Sequence, residues 1–239
     1  MAELIHAFDG AGYKAFAFNY ACFDGIDESA RSLSDLMGLF NTAGNISSNR
    51  MVVVAHSMGG LVARAHIAFE VGARHVQKVI SLGTPHNGTL KDARFVRKLL
   101  QWGEAVSGLN PKAFATSNKS ALQLTGTDSA RPTLLERLKA PLPAHAAVEF
   151  FSISGGYPKL EFGANPLKNL WANQWLQTHL ATPNDGLVSE ASSDLSRVHF
   201  AACAPACEHH NSYAGYPRTN HSQLISNQSV ALTAIKAAA

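Results

Sequence analysis

Short apolar runs alternate with amphipathic stretches along the first third of the chain. Met51–His56 and Val76–Leu82 are rich in valine and isoleucine, which predicts two buried strands. Apolar residues at helical spacing predict one helix over residues 27–41 and another over residues 58–71, between the two strands. Strands and helices that alternate at these lengths indicate βαβ units and a mostly parallel sheet with helices on both faces.

Further segments extend this pattern in both directions. Lys14–Tyr20 alternates large and small side chains and predicts a strand, and Val148–Ser154 predicts another late in the chain. Residues 1–9 have the character of the end of a helix, and residues 222–238 predict a closing helix. Residues 157–183 show no clear period, so we expect a long irregular segment there.

No repeat or linker divides the chain, which predicts a single α/β domain over residues 1–239. Residues 89–145 interrupt the alternation of strands and helices. Helical stretches near residues 95–102 and 134–138 are separated there by breaks rich in glycine, serine and asparagine. This segment is a candidate insertion within the domain.

Composition narrows the class of protein only slightly. A content of 46% hydrophobic and 15% charged residues is typical of a folded globular chain. The formal net charge of +3 comes from scattered basic residues and does not support binding to nucleic acid. No apolar run approaches the ~18 residues that a membrane-spanning helix needs.

The hexapeptide Ala55–Gly60 (AHSMGG) joins the predicted strand at residues 51–56 to the helix that follows. A serine on such a turn is the arrangement of a nucleophile elbow, which exposes the hydroxyl to a substrate. The pattern departs from Gly-x-Ser-x-Gly at Ala55, whose methyl is the smallest replacement for a hydrogen. We expect Gly59 to allow close approach of strand and helix. The alternative is that Ser57 is an ordinary helix N-cap.

A nucleophilic serine needs a histidine base, and that histidine needs a carboxylate to hold its tautomer. In elbow enzymes the chain order is serine, acid, histidine, so the partners must lie in the last third of this chain. Asp185 lies in an Asn-Asp-Gly turn, where an Asx-turn role is equally typical, and His221 precedes the closing helix. Two other acids and three other histidines remain candidates: Glu190, Asp194, His199, His209 and His210.

Four segments together resemble the bacterial triacylglycerol lipases and esterases of the α/β-hydrolase fold: Ala55–Gly60, Leu82–Gly88, Asn184–Val188 and Asn220–Leu224. The AHSMGG elbow is similar to that of the small bacillus-type lipases, and the Gly-Thr-Pro-His sequence is frequent in larger lipases. The resemblance implies an α/β-hydrolase fold with a helical lid at residues 89–145. It also implies that Ser57 is the nucleophile, Asp185 the acid and His221 the base.

A serine ester hydrolase, either lipase or esterase, is the function that this resemblance implies. An acyl-enzyme would form on Ser57, and the backbone N–H of Met58 would donate to the oxyanion. We expect an ester or lipid substrate, taken up in the lipase case at a lipid–water interface, and no cofactor. The aromatic residues Phe162, Trp171 and Trp175 would line an acyl pocket or a membrane-facing lid, or belong to the core under a long loop. An acyltransferase or thioesterase with the same triad, or a non-catalytic fragment, remains an alternative.

The resemblance is broken before residue 14. Members of the family draw a second oxyanion donor from a His-Gly loop that follows an early strand, and that strand lies between the equivalents of residues 14–20 and 51–56. We therefore expect this sequence to be an N-terminally shortened form. We expect the protein to be secreted or periplasmic if the N-terminus is incomplete, and cytoplasmic otherwise. The alternative is that Tyr20-Ala21 supplies the second donor.

Metal-ligand residue types gather in one late segment: His199, Cys203, Cys207, Glu208, His209 and His210. Their spacing matches no zinc pattern, and a surface loop with a Cys203–Cys207 disulfide is the interpretation we favour. We assign no metal site to the chain.

Overall fold

The computed structural model describes residues 1–42, 51–69, 75–90, 96, 119–140, 148–160, 166–197, 211–216 and 218–239. Four strands form one sheet: β1 Met51–His56, β2 Val76–Leu82, β3 Glu149–Gly155 and β4 Asn211–Tyr216. Each strand runs parallel to its neighbour, and the spatial order β1-β2-β3-β4 follows the sequence. The predicted parallel sheet is confirmed.

The α-helices of the described residues flank this sheet: α1 Ala2–Gly10, α2 Ile26–Thr42, α3 Met58–Phe69, α4 Lys119–Thr125, α5 Leu134–Arg137, α6 Pro166–His179, α7 Glu190–Ser193 and α8 Gln228–Ala238. Short 3-10 turns lie at Leu195–Arg197 and Ser222–Ile225. None of these helices is both long and apolar enough to cross a bilayer. The layered arrangement agrees with the predicted α/β-hydrolase fold.

Alternate residues of the central strands face two separate hydrophobic clusters. Val79 of β2 packs into a cluster that includes α2 and α3, and the next residue, Ile80, packs into a cluster that includes α1 and α8. Side chains of a strand point to opposite faces in turn, so a sheet with helices on both sides buries both sets. The core therefore lies in two layers, one on each face of the sheet.

The prediction of a strand at Lys14–Tyr20 is wrong. Its residues make no strand ladder with any described strand, and β1 stands at one end of the sheet. Side chains of residues 13–20 nevertheless enter both layers of the core, since Tyr13 and Ala15 pack with α1 and α8 whereas Phe18 and Tyr20 pack with α2 and α3. Alternation reports the burial of side chains, but a strand also requires a neighbouring backbone to pair with.

One other prediction needs correction, and one strand was missed. The expected irregular segment contains helix α6, which begins at Pro166, a residue typical of the first helical position. Its apolar residues lie on more than one face: Leu167, Leu170 and Trp171 are exposed, whereas Leu176 is buried, which obscured the helical period. Strand β4, a Tyr- and Gly-containing segment, was not predicted at all.

The candidate insertion at residues 89–145 lies largely outside the described residues, and its role as a lid stays a prediction. Residues 119–140 of the insertion contain α4 and α5 and pack on the beginning of α2. The side-chain oxygen of Gln123 accepts a hydrogen bond of 2.6 Å from Ile26 N–H, and its amide nitrogen donates to Asp27 Oδ1 over 2.8 Å. Gln123 thus satisfies the N-terminal backbone of α2 from another helix.

We predict that Gln123→Leu lowers the free energy of unfolding by about 1–3 kcal/mol, because it leaves the buried Ile26 N–H without a partner. Urea unfolding of the purified chain measures this change. The control is Gln174→Leu at an exposed position of α6, which we expect to change stability by less than about 0.5 kcal/mol. Equal effects of the two substitutions would contradict the role assigned to Gln123.

Candidate active site

Ser57 lies at the turn from β1 into α3 with a strained backbone. Its φ of +54° is the only positive value among the non-glycine residues that the structure describes. A side chain in this left-handed region costs free energy and persists only where the surroundings hold it. Ser57 N–H donates to Leu82 O over 2.9 Å, which joins the turn to the end of β2. The turn has the backbone of the predicted elbow.

Close packing of the elbow helix depends on Gly60 rather than on Gly59. A Cβ on Gly60 would overlap the Thr84 side chain, whereas a Cβ on Gly59 would meet Ala55 at 3.7 Å, an ordinary contact. The expectation placed on Gly59 is therefore wrong. Met58 begins α3, so its N–H is one of the amides that a helix leaves without an internal partner.

The structure brings the side chains of Asp185 and His221 together. His221 Nδ1 lies 2.7 Å from Asp185 Oδ2, and His221 N–H donates to the backbone oxygen of Asp185 over 2.8 Å. Both residues are buried, at 1% and 5% exposure. A carboxylate only accepts, so Nδ1 of the neutral ring carries the proton and Nε2 keeps its lone pair. The pair thus holds one tautomer of His221.

The two oxygens of Asp185 have separate partners. Oδ1 accepts the N–H groups of Leu187 and Val188 over 3.0 and 2.7 Å, while Oδ2 faces His221. The Asx-turn interpretation is therefore confirmed, and the second oxygen of the same carboxylate faces His221. Two backbone amides hold the carboxylate in the turn and offset part of its desolvation.

The competing residues have other partners or lie outside the described chain. Asp194 accepts from Arg197 Nε over 3.0 Å, and Glu190 lies 3.6 Å from the same guanidinium. The rival histidines, His199, His209 and His210, lie outside the described residues, as do Cys203 and Cys207 with their predicted disulfide.

Gly83 provides the space in which Asp185 and His221 meet. It directly follows β2 with a φ of +58°. A Cβ at this position would lie 2.9 Å from Asp185 Oδ2 and 3.0 Å from His221 Nδ1, against the hydrogen bond itself. Glycine is therefore required both for the backbone conformation and for the approach of the two side chains. The Gly-Thr-Pro-His motif was noticed in the sequence, but this role of its glycine was not.

A hydrogen bond that the sequence did not suggest links the elbow to the loop that carries His221. His56, the residue before Ser57, donates from Nε2 to the backbone oxygen of His221 over 2.9 Å. Its ring centroid lies 4.7 Å from that of His221. His221 Nε2 is buried and has no hydrogen-bond partner among the described residues, so the structure does not join it to the Ser57 hydroxyl. Such bonds are often long before substrate binds.

Tyr20, named above with Ala21 as an alternative source of an oxyanion donor, lies beside the elbow helix. Its hydroxyl is 3.4 Å from the position of a Cβ on Gly59. Burial, with a smaller contribution from the Cys22 thiol, raises the pKa of the Tyr20 phenol, which keeps the group protonated and able to donate. The second oxyanion donor stays a prediction.

A buried polar network supports the loop that follows Gly83. Arg64 of α3 donates to the backbone oxygens of His86 and Leu138 over 3.2 and 2.7 Å. His86 Nε2 lies 2.9 Å from Ser81 Oγ, and its Nδ1 faces Arg64. Burial lowers the pKa of Arg64 to about 9, and burial together with the Arg64 charge holds the pKa of His86 well below its usual range. Arg64 thus ties α3 to the end of α5.

Comparison with known families supports the fold and the elbow region. Residues 26–176 match the profile of the PGAP1-like alpha/beta domain. The chain belongs to this family. The match includes β1, the elbow at Ser57, β2 and the Gly83 turn, but it ends before Asp185 and His221.

Solved structures with the fold of this PGAP1-like domain include a bacterial lipase. The mature form of Bacillus licheniformis lipase BlEst2 is similar at a TM-score of 0.65 and 16% identity, over 99% of this chain and 83% of that one. Its propeptide form gives 0.61 and 16%, over 98% of this chain and 45% of that one. The predicted resemblance to bacterial lipases is confirmed for the fold. No curated protein matches the sequence significantly.

No group of three or more metal-ligating side chains lies together in the described part of this PGAP1-like domain. The site assembled around Asp185 and His221 contains one carboxylate and two imidazoles, His56 and His221, all of which already have hydrogen-bond partners within the site.

We predict that Gly83→Ala breaks the hydrogen bond between Asp185 and His221. The new methyl would occupy the space of the bond and force the loops apart. NMR detection of the His221 Nδ1 proton measures this directly. The control is Gly38→Ala in α2, where nothing lies within 4 Å of the new Cβ and helix stability should rise by about 0.5–1 kcal/mol. An unchanged Nδ1 signal in Gly83→Ala would contradict this role.

We predict that His86 makes stability depend on pH. Its depressed pKa keeps it neutral in the folded chain, whereas the unfolded chain binds a proton near pH 6.5. The free energy of unfolding is therefore retained above pH 6.5. At lower pH it decreases by about 1.4 kcal/mol per pH unit for each such histidine. Urea unfolding from pH 5 to 7.5 should give a shallower dependence for His86→Gln than for the parent chain. Gln174→Leu, which changes no titratable group, should leave the slope unchanged; parallel curves for all three chains would refute the prediction.

Proposed function

We propose that this protein is a serine carboxylic ester hydrolase that acts through an acyl-enzyme. Ser57 is the nucleophile, His221 the base and Asp185 the acid. The observation that carries the proposal is the buried Asp185–His221 pair, in which Nε2 of His221 has no partner among the described residues. This pair is linked through His56 to the strained Ser57 turn. This combination of an oriented base and an elbow serine is what acyl transfer requires.

The first half of the reaction forms the acyl-enzyme. Ser57 Oγ attacks the ester carbonyl while its proton moves to His221 Nε2. The imidazolium that results is stabilised by Asp185 through Nδ1–H. The carbonyl oxygen becomes an oxyanion, to which the N–H of Met58 at the start of α3 donates. Collapse of this intermediate breaks the bond to the alcohol, which leaves with the proton from Nε2.

The second half repeats these steps with water. Water attacks the acyl group on Ser57 and gives its proton to His221 Nε2. When the acid is released, Ser57 Oγ recovers that proton, and the enzyme returns to its starting state. His221 moves one proton in each direction in each half, so the orientation of its ring limits both.

The exposed apolar residues of α6 support an ester or lipid substrate. Leu167, Leu170 and Trp171 of α6 follow each other at helical spacing and are exposed. α6 is connected to the loop that carries His221 through two neighbouring residues. Asn173 of α6 forms hydrogen bonds with both backbone groups of Leu160, and Asn220 donates to the backbone oxygen of Lys159. We include in the proposal that this face of α6 meets a lipid–water interface.

We predict that a fluorophosphonate probe labels the folded chain at Ser57 and that Ser57→Ala abolishes labelling, since the probe reports an activated serine. Ser32→Ala, at an exposed serine of α2, is the matched control and should label normally.

With p-nitrophenyl esters, Asp185→Asn should lower kcat by about 10³–10⁴-fold, because the wrong tautomer of His221 is then favoured. The control is Asp35→Asn at an exposed acid, which should leave kcat unchanged.

The outcomes separate the alternatives. Folded protein that the probe does not label would refute the proposal and favour a non-catalytic domain. Labelling with acyl transfer to an added alcohol, but without hydrolysis, would instead favour an acyltransferase. Preference for a thioester over the matched oxygen ester would indicate a thioesterase.

A further inference from the structure

His56 makes a contact that the proposed chemistry does not use. It is the last residue of β1 and lies directly before Ser57. Its Nε2 is 2.9 Å from the backbone oxygen of His221, a residue 165 positions away in the chain. A carbonyl oxygen only accepts, so His56 Nε2 carries a proton and donates it. The tautomer of His56 follows from this contact, as that of His221 follows from Asp185.

The backbone and side chain of His221 are therefore held from two directions. Asp185 accepts from both the N–H and the Nδ1–H of His221, over 2.8 and 2.7 Å. His56 donates to the carbonyl oxygen on the other side of the same residue. The Asp185 contacts come from a loop, whereas the His56 contact comes from a strand of the central sheet. Only the second ties His221 to the element that carries the nucleophile.

We propose that His56 is a positioning residue that sets the distance between the base and the nucleophile through its hydrogen bond to the backbone of His221. The inference rests on the proposed function for the roles of Ser57 and His221. Because residues 56 and 57 are adjacent, any shift of the elbow moves His56 with it, and the hydrogen bond carries His221 along. Proton transfer is sensitive to such distances, and a misplacement of about 1 Å costs as much as 10²-fold in rate.

The charge state of His56 suits this role. Desolvation first, and the neighbouring His221 second, lower the pKa of His56 to about 3, although the carboxylate of Asp185 and the backbone contact act in the opposite direction. His56 therefore stays neutral around pH 7, so it adds no positive charge beside His221 that would oppose protonation of the base.

Two substitutions separate the hydrogen bond from simple packing. His56→Phe keeps a ring of similar size but has no donor, and His56→Gln keeps an N–H donor at a similar reach. We expect His56→Phe to lower kcat on a p-nitrophenyl ester by about 10- to 100-fold with KM within about twofold, and His56→Gln to recover most of the loss. Rates are normalised to the folded fraction. His6→Phe, at an exposed histidine, is the control and should match the parent chain.

A second measurement does not depend on activity. In a Ser57→Ala background, NMR follows the Nδ1 proton of His221 with each residue at position 56. We expect His56→Phe to shift or broaden this signal and His56→Gln to restore it. If the parent chain fails to hydrolyse esters or to react with the probe, the proposed function fails, and this measurement still decides whether His56 orients His221.

The inference is overturned by any of three results. The first is a kcat for folded His56→Phe equal to that of the parent chain. The second is a loss in His56→Gln as large as in His56→Phe, because the donor would then be irrelevant. The third is an Nδ1 signal that is the same with histidine and phenylalanine at position 56.

Discussion

The hydrogen bond between Asp185 and His221 is the interaction around which this end of the molecule is organised. Burying a carboxylate costs free energy unless other groups replace its water. Here two backbone amides of the Asx turn and one imidazole do so, and the absence of a side chain at Gly83 leaves the space in which they meet. This one buried contact holds together the loop after α6, which carries Asp185, and the loop after β4, which carries His221.

The parallel sheet determines where that contact lies. The carboxyl ends of parallel strands share one edge of a sheet, and residues that follow those ends are brought together although they are far apart in the chain. Ser57 follows β1, Gly83 follows β2, and His221 lies a few residues after β4. The strained φ of Ser57 is maintained by its position between β1, α3 and the end of β2, so the sheet supports the strain that the elbow stores.

Local signals in the sequence were sufficient where one side chain or one period decides the structure. The valine-rich runs of β1 and β2 and the amphipathic stripe of α2 are of this kind, and so is the elbow at Ser57. They failed where pairing or packing decides. Lys14–Tyr20 has the alternation of a strand without a ladder, β4 forms a ladder without the alternation, and α6 has exposed apolar residues that obscure its period. The bond from His56 to His221 joins residues 165 positions apart and leaves no local signal.

The sequence by itself determined the class of fold, the elbow and a short set of acids and histidines as candidate partners, because periodicity and motif spacing are properties of neighbouring residues. Only the tertiary structure decided that Asp185, rather than Glu190 or Asp194, lies beside His221, and that Gly83 and His56 shape the site. Those choices depend on which loops the sheet brings together and on the space between them, and no stretch of the chain encodes that on its own.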